Sequence, residues 1–372
     1  MRHYVELYRT IKKTFGFRLR PIGLFAILQV RQAISALTMG MDRVFFPGYR
    51  KQPIDRPIFI VGNPRSGTTF LHRLLLGAGG DLAAFELWEM LFPAMTARKL
   101  LGRVIPRFER LSPARYHPSD IHDTSLRGIE TDDALWFFRT MDGPFAWAYL
   151  LAWQDNWGSD LCRREMGVEG VTDRDRERFF NYHEESWRRN LAYKHAKRVL
   201  AKTSMLTFRL DEVLKRYPDA KLVYIIRDPV EVIPSGMSLV SGVLENGYDA
   251  WNRTTDADQR RWAENLYQAS CEMLRSFHEA YTSGRIPEKN LCVVRYTDLL
   301  QNLEPTMKRI LDFIEIEPSA AFVEEVRAQA EQQRSYKSRH QHSPEKFNLD
   351  PARIRRDLGF VYDTFELTEQ PS

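Results

Sequence analysis

Four short runs rich in apolar residues stand out along the chain, at residues 58–62, 198–203, 221–227 and 291–296. Continuous apolar runs of this length are typical of strands that are buried on both faces of a parallel sheet. Stretches with the period of amphipathic helices separate these runs. Strands that alternate with helices predict an α/β fold, namely a doubly wound parallel sheet with helices on both faces.

Two regions with helix-type patterns accompany the predicted sheet. Residues 1–55 are predicted to form an N-terminal helical extension, and residues 56–372 are predicted to form the main domain. Within that domain, residues 86–195 are rich in tryptophan, arginine and helical patterns. We therefore expect a helical insertion between the first strands of the sheet.

Residues 21–41 form the most apolar long stretch of the chain, and a spanning helix needs about 20 mostly apolar residues. Gln29, Arg31 and Gln32 lie near its centre, where polar side chains are costly in lipid, and this argues against a transmembrane helix. No small-residue cleavage pattern follows the stretch, so a secretory signal is not expected. Two interpretations stay open: an amphipathic helix that touches a membrane surface, and a helix packed on the protein core.

The composition is that of an ordinary globular protein. Of the 372 residues, 43% are hydrophobic and 28% are charged, which excludes the disordered, collagen-like and coiled-coil classes. Cys162, Cys271 and Cys292 are too far apart for a disulfide framework, so we expect a reducing compartment, the cytoplasm. The net charge of +5, without a zinc finger or an arginine–glycine tract, gives no indication of a nucleic-acid partner.

The loop GNPRSGTT, residues 62–69, joins the first predicted strand to the first helix of the main domain. In this context the N–H groups of the turn and helix start converge on an anion. The spacing is that of a phosphate loop, except that Thr68 replaces the lysine that reaches the terminal phosphates of a triphosphate. Arg65 offers a planar fork of donors, and Ser66 and Thr69 offer hydroxyls. We expect a fold of the phosphate-loop type that binds an anion, the alternative being a glycine turn without a ligand.

A second anion motif follows the strand-like run at residues 221–227. Arg227 ends that run, and Asp228 suits the N-cap of the next helix. Ser235 follows eight positions after Arg227, about two turns into the helix. Because ligands of doubly wound folds bind outside the carboxyl ends of the strands, both residues are predicted to bind a second phosphate of the same ligand. The alternative is a surface ion pair of Arg227 with Asp228 or Glu231.

Together the two motifs resemble those of the sulfotransferase family, in its bacterial form. PRSGTT at 64–69 is similar to the 5′-phosphosulfate loop of that family, and Arg227-Asp-Pro with Ser235 is similar to its 3′-phosphate motif. The resemblance covers about residues 56–365 and includes the closing segment at 342–362. It implies a PAPS-dependent enzyme, whose co-substrate 3′-phosphoadenosine 5′-phosphosulfate leaves as the bisphosphate PAP. It also implies that no metal is required.

The resemblance carries over residue by residue. The 5′-phosphosulfate is expected to bind to Arg65, Ser66, Gly67, Thr68 and Thr69, and the 3′-phosphate to Arg227 and Ser235. Tyr296 matches a tyrosine near the adenine in the cytosolic branch, a core tyrosine being the alternative. The late Arg-Lys-Gly loop of that branch does not occur in this chain. Arg334, Lys337 and Arg339 are open candidates to replace it.

Sulfuryl transfer requires that the acceptor hydroxyl or amine lose a proton as it attacks sulfur in line. The histidine that cytosolic members use is replaced here by Ser204. Other branches use a glutamate shortly after the loop helix, and Glu86 occupies that place, where burial would raise its pKa. His122 is the alternative base, and an ion pair is the structural alternative for Glu86. Lys202, at a strand end, is expected to polarise the leaving oxygen, the alternative being a surface lysine.

Two other classes of function stay open. In an atypical nucleotide kinase, Asp228 would bind magnesium, but the missing loop lysine argues against this class. In a non-catalytic nucleotide-binding module, the tryptophan-rich residues 136–157 would bind partners, but the retained anion motifs argue against it. The acceptor, whether a small molecule, a carbohydrate or a lipid, is not determined. Aromatic side chains suit each of these, and core packing equally explains Trp88, Trp136, Trp147, Trp153, Trp157 and Trp187.

Overall fold

The computed structural model describes residues 2–107, 125–141, 143–153, 172–248, 250–335 and 344–367. The strands are β1 (Ile58–Val61), β2 (Leu82–Ala83), β3 (Arg198–Lys202), β4 (Lys221–Ile226) and β5 (Leu291–Arg295). The first helices are α1 (Arg2–Phe15), α2 (Arg20–Phe45), α3 (Thr68–Leu76), α4 (Leu87–Leu91), α5 (Met95–Leu101), α6 (Asp133–Thr140), α7 (Pro144–Tyr149) and α8 (Asp173–Lys194). They are followed by α9 (Leu210–Arg216), α10 (Pro229–Tyr248), α11 (Asp256–Thr282), α12 (Tyr296–Gln301), α13 (Leu303–Ile314), α14 (Ala320–Ser335), α15 (Pro351–Asp357) and α16 (Gly359–Phe365).

The five strands form one sheet with the order β2-β3-β1-β4-β5. β1 pairs in parallel with β3 and β4, and β4 pairs in parallel with β5. The predicted α/β fold is therefore confirmed, including the N-terminal helices. Each predicted strand is one residue shorter at its end, because the last residue of each run already leaves the sheet: Gly62, Thr203, Arg227 and Tyr296. The two-residue β2 was not predicted, since so short a strand has no periodic signal.

Both faces of the sheet are covered, as the continuous apolar runs require. Ile58, Ile60, Val223 and Ile225 lie in a core cluster with residues of α3, α13 and α14. Alternate residues face the other way, because successive side chains of a strand point to opposite faces. Phe59 packs on Tyr217, and the ring of Tyr224 stacks on Phe277 with 3.3 Å between centroids.

The chain divides into two compact units, each made of three segments. The sheet unit comprises Asp55–Leu82, Arg198–Ser238 and Tyr267–Ser372. The helical unit comprises Met1–Ile54, Ala83–Lys197 and Leu239–Leu266. The loop at residues 62–69 and the segment around Arg227 belong to the sheet unit, whereas Glu86 and the N-terminal helices belong to the helical unit.

Tryptophans build the interior of the helical unit. Trp147, Trp153 and Trp187 are fully buried, and Trp153 stacks on Trp262 with 5.4 Å between ring centroids. Core packing therefore explains these side chains. Trp157 lies outside the described residues.

Helix α2 contains the apolar stretch 21–41. Within the described part of the chain, it is the one helix that is long and apolar enough to cross a membrane, by length and composition alone. Only 22% of its most apolar window is buried. One side of α2 packs inside the helical unit, while the other side is exposed.

Candidate functional site

The loop between β1 and α3 depends on two glycines in backbone conformations that other residues rarely adopt. Gly62 has φ 137°, and a Cβ there would lie 2.7 Å from the carbonyl oxygen of Ile225 in β4. Gly67 has φ 87°, and a Cβ there would lie 3.0 Å from the ring of Tyr296. The framing glycines of the motif are thus required because neighbouring elements approach the backbone closely.

Between these glycines, Arg65 also has a left-handed backbone, with φ 74°. Such a conformation is costly for a side chain with a Cβ and is concentrated at functional sites. The Nε of Arg65 donates a hydrogen bond to Oγ of Ser235 at 3.2 Å. The two anion motifs predicted from the sequence are therefore brought together. Burial lowers the pKa of Arg65, and the charge of Arg227 lowers this pKa further.

Arg227 joins the loop, α10 and α12. Its Nη1 donates to the carbonyl oxygen of Arg65 at 2.8 Å, and its Nη2 lies 2.9 Å from Oε2 of Glu231. Its Cζ lies 4.3 Å from the ring centroid of Tyr296, which is within cation–π distance. The ion pair with Glu231, considered as an alternative, is present together with the contact to the loop. Glu231 pairs with Arg227, whereas the guanidinium of Arg65 contacts the hydroxyl of Ser235. Guanidinium groups of this kind can donate charge-assisted hydrogen bonds to an anion.

The start of α3 supplies further donors. Gly67 is the N-cap of the helix, and Thr68 and Thr69 follow in its first turn. The first N–H groups of a helix have no partner within the helix, and the helix dipole makes this end attractive to anions. Ser66 is 1% exposed, and its N–H donates to the carbonyl oxygen of Asn63 at 3.2 Å, which tightens the turn.

Lys202 ends β3 beside the loop. Its Nζ donates to Oγ1 of Thr69 at 2.7 Å, and the residue is only 8% exposed. The alternative of a surface lysine therefore does not describe its position. Because β1 and β3 are adjacent and parallel, their carboxyl ends lie at the same edge of the sheet. This arrangement holds an ammonium group against the hydroxyl of the loop.

Asp228 caps α10 and is linked to the end of the chain. Its Oδ1 accepts hydrogen bonds from the N–H of Val230 at 2.9 Å and from the hydroxyl of Tyr362 at 2.5 Å. The capping role was predicted, but Tyr362 was missed, because no local pattern relates residues 134 positions apart. A cleft of about 200 Å³ beside this cap is lined by Arg227, Glu231, Tyr296 and Asp298, among others.

Glu86 lies in the helical unit, immediately before α4. The indole Nε1 of Trp88 donates to its Oε2 at 2.7 Å, and its own N–H donates to Oε2 of Glu89 at 2.8 Å. Lys194 pairs with Glu89 rather than with Glu86, with Nζ 2.7 Å from Oε2 of Glu89. Among the described residues, no lysine or arginine forms an ion pair with Glu86.

The surroundings of Glu86 shift the pKa of its carboxyl upward overall. Burial raises the pKa of its carboxyl, and the negative charge of Glu89 raises this pKa further. The hydrogen bond from Trp88 acts in the opposite direction. The alternative base His122 lies outside the described residues, as do Lys337 and Arg339. The side chain of Arg334 is not described either.

Known proteins resemble this chain in sequence or in fold. Omega-hydroxy-beta-dihydromenaquinone-9 sulfotransferase Stf3 of Mycobacterium tuberculosis and Mycobacterium bovis is 27% identical over 192 residues, which are 50% of this chain and 45% of the relative. The chain thus spans about half the length of these curated relatives. Sulfotransferase STF1 of Mycobacterium tuberculosis H37Rv has a similar structure, with a TM-score of 0.70 at 18% identity over 96% of this chain and 92% of STF1.

Sulfotransferase STF9 of Mycobacterium avium gives a TM-score of 0.69 at 14% identity, over 90% of this chain and 83% of STF9. At these identities the two structures show a shared fold. The sequence match is broader than either motif alone, because residues 57–320 match the Sulfotransferase family as a whole. That range contains the loop, Lys202, Arg227 and Tyr296. The chain therefore belongs to the Sulfotransferase family.

Proposed function

We propose that this protein transfers the sulfuryl group of PAPS to a hydroxyl-bearing acceptor and releases PAP. Two hydrogen bonds between the predicted anion motifs carry the proposal: Nε of Arg65 donates to Oγ of Ser235, and Nη1 of Arg227 donates to the carbonyl oxygen of Arg65. The guanidinium groups of Arg65 and Arg227 at one loop suit a nucleoside that carries phosphate groups at two positions. The family membership supports the reaction class.

The proposed reaction is an in-line displacement at sulfur. The acceptor oxygen forms a bond to sulfur while the bond between sulfur and the bridging phosphate oxygen breaks. Glu86 takes the acceptor proton, and Lys202 stabilises the negative charge that develops on the leaving oxygen. The first-turn N–H groups of α3 and the side chain of Arg65 bind the 5′ end of the donor, and Arg227 and Ser235 bind its 3′-phosphate.

The name of a relative, rather than the donor site, supports a proposal for the acceptor class. The curated relative Stf3 is named for a hydroxylated menaquinone, a lipid-like molecule. We include in the proposal that the acceptor of this chain is also a hydroxyl on a lipid-like molecule. We also place the protein in the reducing cytoplasm, which the buried free thiols of Cys271 and Cys292 support.

Donor specificity is tested by thermal shift with PAP and, separately, with ATP and magnesium. A ligand that binds only the folded protein raises the midpoint of unfolding. We expect PAP to raise it and ATP with magnesium to leave it nearly unchanged. ATP is expected to bind poorly because Thr68 replaces the lysine that would reach its terminal phosphates. Magnesium is expected to bind poorly because Oδ1 of Asp228, its candidate ligand, already accepts two hydrogen bonds. A larger shift with ATP and magnesium would favour the kinase instead.

Arg65→Ala and Arg227→Ala are each expected to weaken PAP binding by about 10- to 150-fold. Each variant loses charge-assisted hydrogen bonds to one phosphate, worth about 1.5–3 kcal/mol. Isothermal titration calorimetry with PAP measures the change. Arg285→Ala is the matched control, because Arg285 pairs with Asp211 at the surface, 2.9 Å away, and lines no part of the loop. Equal affinity in all four proteins would contradict the proposed donor site.

A further inference from the structure

Most of the side chains that helix α2 buries are polar, whereas many of its large apolar side chains are exposed. Its buried positions are Phe25, Leu28, Arg31, Ser35, Thr38 and Asp42. Its exposed large apolar side chains are Ile22, Leu24, Ile27, Val30, Ile34, Leu37, Val44 and Phe45. A surface helix of a soluble domain has the opposite arrangement, with the apolar side facing the core. The exposed face of α2 therefore needs an explanation outside the core.

The inner contacts of α2 fix its orientation. The carboxylate of Asp42 accepts from the N–H of Thr96 at 2.8 Å and from Nε of Arg189 at 2.9 Å. Arg31 donates from Nη1 to the carbonyl oxygen of Leu91 at 2.6 Å. Rotating the helix to bury its apolar side would separate these buried polar groups from their partners, which is strongly unfavourable. The apolar face consequently stays turned outward.

This outward face is large. Ile27, Leu37 and Val44 are 66%, 67% and 74% exposed, and the connection before α2 adds Phe17 and Leu19 at 64% and 70%. A helix of 26 residues is about 39 Å long. Exposed apolar surfaces of this extent mark sites that contact another protein or a membrane.

The charge around the helix decides between these occupants. Residues 1–51 contain ten lysine and arginine residues and two carboxylates, Glu6 and Asp42. Asp42 is buried against Arg189, so the exposed charge of this region is almost wholly positive. The region is more positive than the whole chain, whose net charge is +5. A second copy would bring like charges of this region together, whereas an anionic lipid surface would attract the region.

We propose that α2 docks on an anionic membrane surface, lying parallel to it with the apolar face in the boundary between headgroups and acyl chains. A spanning orientation is disfavoured, because it would place Arg31, near the middle of the helix, in hydrocarbon and separate it from the carbonyl oxygen of Leu91. The purpose of this docking rests on the proposed function: it would bring the enzyme to an acceptor hydroxyl that a membrane lipid carries. The docking itself requires only the helix and its charges.

Vesicle cosedimentation tests the proposal with the full chain. At low salt, we expect the protein to pellet with phosphatidylglycerol–phosphatidylcholine vesicles and to stay in solution with phosphatidylcholine alone. The triple variant Ile27→Gln, Val30→Gln and Leu37→Gln is expected to bind the anionic vesicles at least tenfold more weakly. Val323→Gln, an exposed apolar position of the sheet unit, is the matched control and should bind like wild type.

The outcomes separate the proposal from its competitors. Failure of wild type to bind anionic vesicles at low salt would overturn it. So would a dimer in light scattering that the triple variant abolishes, because a second copy would then cover the face. PAP thermal shifts, measured on the same proteins, are expected to be equal. Vesicle binding without any PAP shift would retain the docking and reject the proposed donor site.

Discussion

Glu86→Gln is expected to lower turnover by about 100- to 10,000-fold, the usual effect of removing a general base. Glutamine keeps the shape of the side chain and can still accept the hydrogen bond from the indole of Trp88, which lies 2.7 Å away. The fold and the affinity for PAP should therefore remain. Turnover measured with PAPS, and PAP affinity measured by calorimetry, are compared with wild type.

The control for this variant is His122→Ala, since His122 is the other base that the sequence offers. Loss of turnover with intact PAP binding in Glu86→Gln alone supports Glu86. The same result in His122→Ala alone would transfer the role of base to His122. If both variants retain turnover within a few-fold of wild type, neither residue is the base.

The pH profile provides an independent check on Glu86. A general base acts when it is deprotonated, and burial raises the pKa of Glu86 above its ordinary value of 4.5. The acidic limb of kcat should therefore lie above pH 4.5. In Trp88→Phe the carboxylate loses a hydrogen bond that lowers its pKa, so the limb should move to higher pH. An unchanged limb in this variant would show that another group controls it.

Lys202→Met is expected to lower kcat by about 100- to 1,000-fold, comparable to the loss of one donor that stabilises a developing oxyanion. Methionine is similar in size to the lysine stem, so this buried position remains filled. We expect the midpoint of thermal unfolding to change little. Single-turnover measurements with PAPS separate this loss in the chemical step from slower PAP release.

A matched lysine is available in the same sheet. Lys221 is the first residue of β4, so it lies at the amino ends of the strands, whereas Lys202 lies at their carboxyl ends. The Nζ of Lys221 lies 2.9 Å from Oε1 of Glu315. Lys221→Met should leave kcat within a few-fold of wild type. If Lys202→Met behaved like Lys221→Met, the contact between Lys202 and Thr69 would be structural rather than catalytic.

The sequence predicted the parts of the fold whose signals are local. A strand buried on both faces is apolar along its length, as β1 and most of β4 are. The shorter apolar cores of β3 and β5 were enough to show them as strand-like runs. The loop was visible because it needs glycine at Gly62 and Gly67, whose φ angles of 137° and 87° other residues rarely adopt. Trp88, the partner of Glu86, lies only two positions away in the chain.

Long-range partners explain what the sequence could not predict. The apolar stripe of α2 was visible, but periodicity does not tell which side of a helix faces the core. The orientation of the helix depends on the hydrogen bond of Arg31 to Leu91, which is 60 positions away, and on the hydrogen bond between Asp42 and Arg189, which is 147 positions away. The bond between Asp228 and Tyr362 likewise joins distant segments. Such pairs leave no pattern in a single sequence.

The ring of Tyr296 has a consequence for engineering the donor preference. It lies against Gly67 on the loop and under the guanidinium of Arg227, so both anion motifs share one aromatic spacer. A chimaera that exchanged only the loop between family members would carry a backbone fitted to a different spacer. Loop, arginine and tyrosine must therefore be transplanted together, although the chain places them far apart.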